Sequence, residues 1–534
     1  MENQKLQLPI GIQTFEKLRE RGCVYVDKTK YLIEMIRKGE IYFLARPRRF
    51  GKSIIVSTFE AIFTGKKQWF KGLYAEEFMN SPDFEPSPVI WLDMSSVTTN
   101  EGIKEIKNTT SILVRENAKN LDIALSDSQI PGVLFKELII KAFQKYNHRV
   151  VILIDEYDSP YTDFVNNPKM ANKVRDVLRN FYTQIKACDR YIHFTFITGI
   201  SKFARFGVFS TLNTPEDISL KPEYAAICGY TEAELIQYFP DYLEETAGRM
   251  AITTEELIAK MRYYYNGFTF DDEVETRLYN TYSTLCFFSD KKWNNYWMET
   301  GKPKIIADYF KDRHLTVEQF RDFAISQDFV RSPGEMDTTP PEGFLYQCGY
   351  LTLRKKGDDE LCLDYPNVEV YNSMSRLVTK NIVGEKVYNS FRNALLAALD
   401  KKDREQLVLV LNRLLAGIPY DDFTLAIKQF FLFKELQIPV QEWLYRSSIL
   451  SFLRGCDVQV SPEVHTNKGR TDLVLVHKGV TWVIEIKVAY KDDKPEAKAA
   501  EGRQQIESGN YAKLYENVIS IVLVIDDATR QILT

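Results

Sequence analysis

The sequence predicts an α/β chain: a parallel sheet wrapped by helices, a helical connector, and a second, smaller α/β region. Three observations carry this expectation. Short apolar β-forming runs alternate with helical periodicity over the first 230 residues, as in a parallel sheet covered on both faces. After Tyr230 the pattern turns helical, with Thr231 placed to cap Glu232–Phe239 and Thr253/Thr254 placed ahead of Glu255–Tyr265. Near the C-terminus, strands return around a tight turn at His477-Lys478-Gly479-Val480. Length agrees, since 534 residues suggest about three domains. The expected divisions are 1–230, 231–435 and 436–534.

Composition narrows the function classes. The chain is 45% hydrophobic and 27% charged, the balance of an ordinary globular protein. A net charge of -4 excludes an all-over basic coat, so any nucleic-acid contact must be a local patch. Seven cysteines are scattered singly without a CxxC, and five histidines show no paired spacing. That argues for reduced thiols, against a disulfide framework and against a zinc site. With no apolar leader and no run of bilayer length, the expectation is a cytoplasmic protein that does not engage a membrane.

Taken in order, residues 1–40 offer Leu8-Pro9-Ile10-Gly11 and Tyr25-Val26-Asp27-Lys28-Thr29. Asp27 reads as the cap of a helix over Tyr31–Lys38 that Gly39 ends, a lead-in to the first strand. Ile41–Ala45 is that strand. It enters the basic loop Arg46-Pro47-Arg48-Arg49-Phe50-Gly51-Lys52-Ser53, and a helical pattern follows from Ile54 to Phe63. Strand, tight loop and helix N-terminus in that order suit a phosphate, because free backbone N–H groups and the helix dipole both point at the anion. All eight loop residues are candidate nucleotide contacts. Lys52 reaches the terminal phosphates and the Ser53 hydroxyl holds Mg²⁺. Arg46 stands where the usual GxxxxGK[ST] loop has its first glycine.

Pro88–Met94 reads as a second strand, and helices are expected over 100–119 and 131–146. Val150–Ile154 then ends in Asp155-Glu156. Five apolar β-formers closing on two carboxylates form a Walker B pattern, with Asp155 in the Mg²⁺ shell and Glu156 orienting the attacking water. Alone, this is also an ordinary parallel strand with an acidic end; its pairing with Gly51-Lys52-Ser53 favours the nucleotide reading. A strand over Tyr191–Thr198 leads to Gly199–Arg205, where Ser201 or Thr198 suits a γ-phosphate sensor. Arg205 suits the transition-state charge, and reads equally well as a solvated loop residue.

Two aromatic turns, Tyr263–Phe270 and Leu278–Ser283, read as core aromatics or as a lid over the nucleotide. Farther on, helices are expected at 304–310, 316–325, 376–398 and 403–415, with a hairpin pairing Gly349–Leu353 with Leu361–Leu363. No catalytic constellation emerges there.

In the C-terminal part, Gln441–Leu453 reads as an amphipathic helix carrying Glu442. Thr471–Val476 and Thr481–Val488 read as paired strands, a helix over 496–515 carries Gln505 and Tyr511, and Val518–Ile525 is a last strand. Alternation puts Glu485 and Lys487 on one face, with Asp472 able to face them. Two carboxylates and a lysine so placed suit metal-assisted phosphodiester hydrolysis: Asp472 and Glu485 hold Mg²⁺ while Lys487 steadies the attacking water or the developing charge. Such triplets also arise by chance on exposed strands; Glu442 upstream and the Gln505 helix downstream weigh against chance.

These motifs give the chain its resemblance. Leu8–Gly11, Tyr25–Thr29, Arg46–Ser53, Ile154–Asp158 and Thr198–Phe203 together resemble the AAA-ATPase-like family of P-loop proteins, related to STAND-type NTPases. That family's loop is itself Arg-Pro-Arg-Arg-Phe-Gly-Lys-Ser, which accounts for Arg46. Glu442, Asp472, Glu485, Lys487 and Gln505 resemble the PD-(D/E)XK nuclease-like domain that accompanies this ATPase; Thr471 departs from the proline of the motif's name. The resemblance spans about residues 6–290 and 440–530. It implies a P-loop NTPase sheet, a restriction-endonuclease-like second domain, ATP and Mg²⁺ as cofactors, and nucleic acid, DNA first, as partner. It also suggests a role in defence or mobile-element biology. The rival expectation is a nucleotide-dependent switch whose nuclease-like domain only binds nucleic acid or a partner. The sequence leaves room for a homo-oligomer without specifying one.

Overall fold

The computed structural model describes residues 5–39, 41–164, 167–200, 215–297, 306, 317–326, 329, 341–357, 360–418, 440–466, 469–509 and 515–533. They fall into two compact units where the sequence reading divides the chain into three. The first comprises Met1–Gly301 with Asp322–Glu369, and the second Lys302–Arg321 with Val370–Thr534. The capped helices after Tyr230 therefore belong with the first sheet.

That sheet is built from β1 (Ile41–Ala45), β2 (Val89–Asp93), β3 (Val150–Asp155), β4 (Ile192–Gly199) and the short β5 (Glu216–Asp217), in the order β2-β3-β4-β1-β5. All its pairings are parallel. Every residue of β3 is buried, as the uninterrupted apolar run requires of a strand covered on both faces. Register aligns the strands' C-terminal ends: Asp93 lies beside Asp155, Leu44 beside Thr198 and Ala45 beside Gly199. In parallel α/β sheets this is the edge where ligands bind. The helices expected at 100–119 and 131–146 are Ile103–Asn120 and Pro131–Tyr146.

The helix after the lead-in spans Thr29–Lys38, two residues earlier than the sequence suggests. Asp27 Oδ1 accepts from both the backbone N–H and the hydroxyl of Thr29, at 2.9 and 2.7 Å, and Gly39 ends it in the left-handed conformation. Helices Glu232–Tyr238 and Thr254–Tyr265 begin with full capping boxes at Thr231 and Thr253. They pack into an aromatic core with Tyr265, Tyr279, Phe287 and Phe288.

Two expectations for the middle of the chain are corrected. The stretch 316–325 contains a single 3₁₀ turn, Glu318–Phe320, and then the strand β6 (Phe323–Ile325). Asp322 adopts a left-handed φ of 48° between them, which breaks the helical period. β6 pairs with β8 (Glu360–Asp364), which pairs in turn with β7 (Thr352–Lys356), so the expected hairpin begins at Thr352 rather than Gly349 and grows into a three-stranded sheet. The stretch 376–398 is two helices, Val368–Val383 and Glu385–Lys401, parted at Gly384 with φ 82°. The helix at 304–310 lies outside the described residues apart from Ile306.

In the second unit, β9 (Gln459–Thr466), β10 (Gly469–His477), β11 (Val480–Ala489), β12 (Val518–Asp526) and β13 (Gln531–Leu533) form one sheet in the order β13-β12-β11-β10-β9. β11 and β12 are parallel, joined through the helix Pro495–Ser508, and the other pairings are antiparallel. β9 and β13 have no counterpart in the sequence reading, and β10 and β11 are interior strands rather than exposed edges. Leu473, Leu475, Trp482, Ile484 and Ile486 join a core with Leu450 and Leu453 of the helix Val440–Gly455. The opposite face is covered by Pro495–Ser508, whose Ile506 packs on Val483. Gly502 is required there, since a Cβ would meet Val522 at 2.5 Å.

Candidate functional site

The first candidate site is the C-terminal edge of β1. The loop leaves the strand, Gly51 turns with φ 93°, and the helix Lys52–Phe63 begins. Arg49 also has a left-handed φ, 69°. Successive turns of this kind aim backbone N–H groups into one concavity, and the first N–H groups of a helix have no partner within it. Lys52 is buried and its ammonium donates to the carbonyls of Arg46 and Pro47 at 3.0 and 3.1 Å, so the lysine is folded back over its own loop. Asp155 is buried at the end of β3 and accepts from the Thr198 hydroxyl at 2.5 Å and from the Glu156 N–H at 3.0 Å. Glu156 takes a left-handed φ of 49°. Burial raises its pKa, against the opposing pull of Lys52 and Arg48. The structure thus brings Lys52, Asp155, Glu156 and Thr198 to one sheet edge, with Ser53 at the helix start; Ser201 and Arg205 lie outside the described residues.

Arg46 is placed differently from the rest of the loop. Its side chain is 1% exposed and points away from the concavity. The guanidinium donates to Ser219 O at 2.6 Å, Ala45 O at 3.0 Å and Tyr224 O at 3.3 Å, and lies 4.4 Å from the Phe270 ring centroid. Burial lowers its pKa to about 10. The Arg46 side chain thus braces the loop from behind; Pro47 likewise faces Gly349, where a Cβ would meet it at 2.5 Å.

The rest of the loop is gripped from the helical region. Trp297 Nε1 donates to Arg48 O at 3.2 Å, the Thr281 hydroxyl to Arg49 O at 2.7 Å, and the Gly229 N–H to Phe50 O at 3.1 Å. Phe50 packs edge-on against Phe268 and Phe270, and Arg49 stacks over Tyr282. Both aromatic turns therefore meet the loop. In front lies a cavity of about 320 Å³, lined by Arg48 to Ile55 and Glu156, by Tyr230 and Tyr282, and by Pro9–Gln13, Val24–Val26 and Lys28. The N-terminal segment is thus a wall of the cavity as well as a lead-in. Periodicity carries no signal for that role; Leu8–Gly11 and Tyr25–Thr29 drew attention only through the family resemblance.

The second candidate site lies in the second unit. Glu485 and Lys487 share a face of β11, and Lys487 Nζ donates to Glu485 at 3.1 Å and to Gln505 Oε1 at 2.8 Å. Asp472 Oδ2 accepts from the Ile486 N–H at 2.8 Å, which fixes it beside Glu485. The Thr471 hydroxyl stands 3.4 Å from Glu485, so the residue in the motif's proline position also serves the cluster. Burial and then the Asp472 charge push the Glu485 carboxyl up to about 7, with Lys487 opposing. Burial works against the Lys487 charge, but Glu485 and the neighbouring carboxylates outweigh it and raise the pKa. Glu442 is half-buried on Val440–Gly455, raised by burial and by Asp472. Arg446, one turn along, stands 3.6 Å from Asp472 Oδ1; its spacing of four from Glu442 was the only sequence signal for it.

Among the described residues, no group of three or more His, Cys, Asp or Glu side chains is arranged to hold a metal ion. Asp472 and Glu485 offer two carboxylates, which fits a hard cation such as Mg²⁺ that keeps most of its water. No helix among the described residues is long and apolar enough to cross a membrane, and all seven cysteines are free.

Comparison with known proteins matches a family model at each end of the chain. Residues 9–209 match the family model described as predicted AAA-ATPase, and residues 440–534 match the PD-(D/E)XK nuclease superfamily model. Over 515 residues the chain is 30% identical to the "Uncharacterized protein in vnfD 5'region" of Azotobacter chroococcum mcd 1, covering 95% of this chain and 93% of that one. Solved structures give a fainter likeness. The Aeropyrum pernix ORC1 protein in complex with DNA matches at 11% identity, covering 84% of this chain and 88% of its own, with a TM-score of 0.27. The Aeropyrum pernix ORC2 protein matches at 12% over 71% of this chain and 97% of its own, with a TM-score of 0.24. Scores this low carry no argument about ligand or partner.

Proposed function

The chain belongs to the predicted AAA-ATPase family that carries a PD-(D/E)XK nuclease superfamily domain at its C-terminal end, and from that premise we propose that it binds and hydrolyses ATP in the first unit and cleaves nucleic acid, DNA first, in the second. The observation that carries the reading is the convergence of four side chains from two strands and a helix: Lys487 donates to Glu485 and Gln505, and the Ile486 N–H holds Asp472 beside them.

In the first unit, the loop N–H groups and Lys52 bind the phosphates, which requires the ammonium to leave the carbonyls of Arg46 and Pro47. Ser53 and Asp155 hold Mg²⁺, and Glu156 takes up the attacking water. Tyr230, Tyr282 and the Pro9–Gln13 wall enclose the remainder of the nucleotide. In the second unit Asp472 and Glu485 hold the divalent cation, whose part is to polarise the phosphodiester. Lys487, held by Glu485 and Gln505, donates toward the developing charge, and Glu442 borders the site. ATP turnover gates cleavage in this reading, in defence or mobile-element biology in the cytoplasm.

The test is cleavage of labelled DNA and RNA with Mg²⁺ or Mn²⁺, with and without ATP. Wild type should cut and Asp472→Ala and Lys487→Ala should not. Failure of wild type to cut any substrate would return the second unit to the binding role of a nucleotide-dependent switch.

A further inference from the structure

Resting on the reading of Asp472 and Glu485 as the cation-holding carboxylates, we propose that Arg446 is a built-in counter-ion that competes with the divalent cation for Asp472 and so sets the cation affinity of the site. Arg446 and Glu442 are four residues apart on the helix Val440–Gly455, which places them on one face. The Arg446 and Asp472 side chains are only 9% and 10% exposed, and their closest approach is 3.6 Å, to Asp472 Oδ1. The other carboxylate oxygen is committed to the Ile486 N–H. One oxygen is thus pinned to the backbone of β11 while the other faces the guanidinium.

Charge balance explains why an arginine belongs there. Two carboxylates buried side by side are costly unless compensated. Lys487 compensates Glu485 through a direct hydrogen bond. Arg446 offsets Asp472 from 3.6 Å, and Glu442 on the same helix adds a further carboxylate that both cations serve. The two cations are held differently. Charge-assisted N–H···O bonds run at about 2.7–2.9 Å, and the Arg446 pair is longer. It is an attraction of charges without a bidentate fork, the kind of contact a stronger cation displaces. A divalent ion on Asp472 and Glu485 adds two positive charges beside the guanidinium, and like charges at such separations in a poorly solvated site repel strongly. Cation binding therefore loosens Arg446 from Asp472, and Arg446 in turn opposes the cation.

Mn²⁺ titrated into the full chain and followed by electron paramagnetic resonance tests this. The site of interest is the one that Asp472→Asn removes. Arg446→Gln should bind Mn²⁺ there about tenfold tighter than wild type, roughly 1.4 kcal/mol. Its unfolding temperature should be lower than wild type in EDTA and rise further when Mn²⁺ is added. A folded Arg446→Gln with equal or weaker Mn²⁺ affinity overturns the proposal. Should that variant not fold, Arg446→Met keeps the apolar stem and carries the same expectation. Recovery of either variant's fold by Mn²⁺ supports the proposal, and failure of both to fold at saturating Mn²⁺ overturns it. If neither wild type nor the variants show any Asp472-dependent Mn²⁺ site, the carboxylate reading itself falls, a different result from an unchanged affinity.

Discussion

Replacing Arg46 by glycine restores the residue that the usual GxxxxGK[ST] loop carries at this position. If Arg46 were a tolerated defect, Arg46→Gly would be neutral or would improve nucleotide binding. The structure predicts the opposite. The guanidinium holds Ser219 O and Tyr224 O, both far away in sequence, and lies against Phe270. Hydrogen bonds from a charged donor contribute about 1.5–3 kcal/mol each, and a desolvated cation–π contact about 2 kcal/mol. Against these stands the cost of burying the guanidinium, already felt in its lowered pKa. Glycine adds about 0.5–1 kcal/mol of backbone entropy and leaves a void behind the loop. With the bonds taken at the low end, the net loss is about 4 kcal/mol. Urea unfolding of the full chain, followed by tryptophan fluorescence, reads it directly, and ATP affinity should fall in parallel. Arg46→Lys should recover less than half, because it keeps the charge without the planar fork. An Arg46→Gly protein as stable as wild type, with equal or tighter ATP binding, would refute the brace.

Three further outcomes follow from the same structure. Gly349→Ala, at φ 83° and with a Cβ 2.5 Å from Pro47, should cost about 2 kcal/mol or more and weaken ATP binding, as read by urea unfolding and by titration. Trp297→Phe removes the donor to Arg48 O; it should cost about 1 kcal/mol in urea unfolding and lose most of the fluorescence response to ATP that wild type shows. His193 packs edge-on against Phe63, and burial, with the charges of His148 and Arg149, holds its pKa below the ordinary 6.5. The unfolded chain then binds the extra proton first, so this part of the stability is full above pH 6.5 and is lost as pH falls through the folded-state value. His193→Phe should flatten that slope in thermal melts between about pH 5 and 7, and an unchanged slope would assign it to other groups.

Much of this was legible because the informative features are local. The all-buried β3 reads directly from Val150–Ile154, and Thr231 and Thr253 announce their helices through capping boxes. Alternation alone set Glu485 beside Lys487, and the structure adds Gln505 and Asp472 by hydrogen bonds. What was not legible depends on distant partners. The interior place of the Arg46 side chain depends on Ser219, Tyr224 and Phe270, far away in sequence. Pro9–Gln13 becomes a cavity wall only through tertiary packing. β6 is only three residues long and β9 carries Pro462 within it, so neither reads as a strand by itself. Arg446 carries no motif at all, and its meaning comes from Asp472 across the fold.

An ATP site at the Arg46–Ser53 loop, with Asp155 and Glu156 opposite, is what the proposed function rests on in the first unit. Calorimetric titration of MgATP, paired with phosphate release from the same protein, tests it most directly. One site per chain with slow turnover is expected, with binding lost in Lys52→Ala, turnover lost in Asp155→Ala, and both retained in Asp472→Asn. Binding and turnover that survive Lys52→Ala and Asp155→Ala would contradict it.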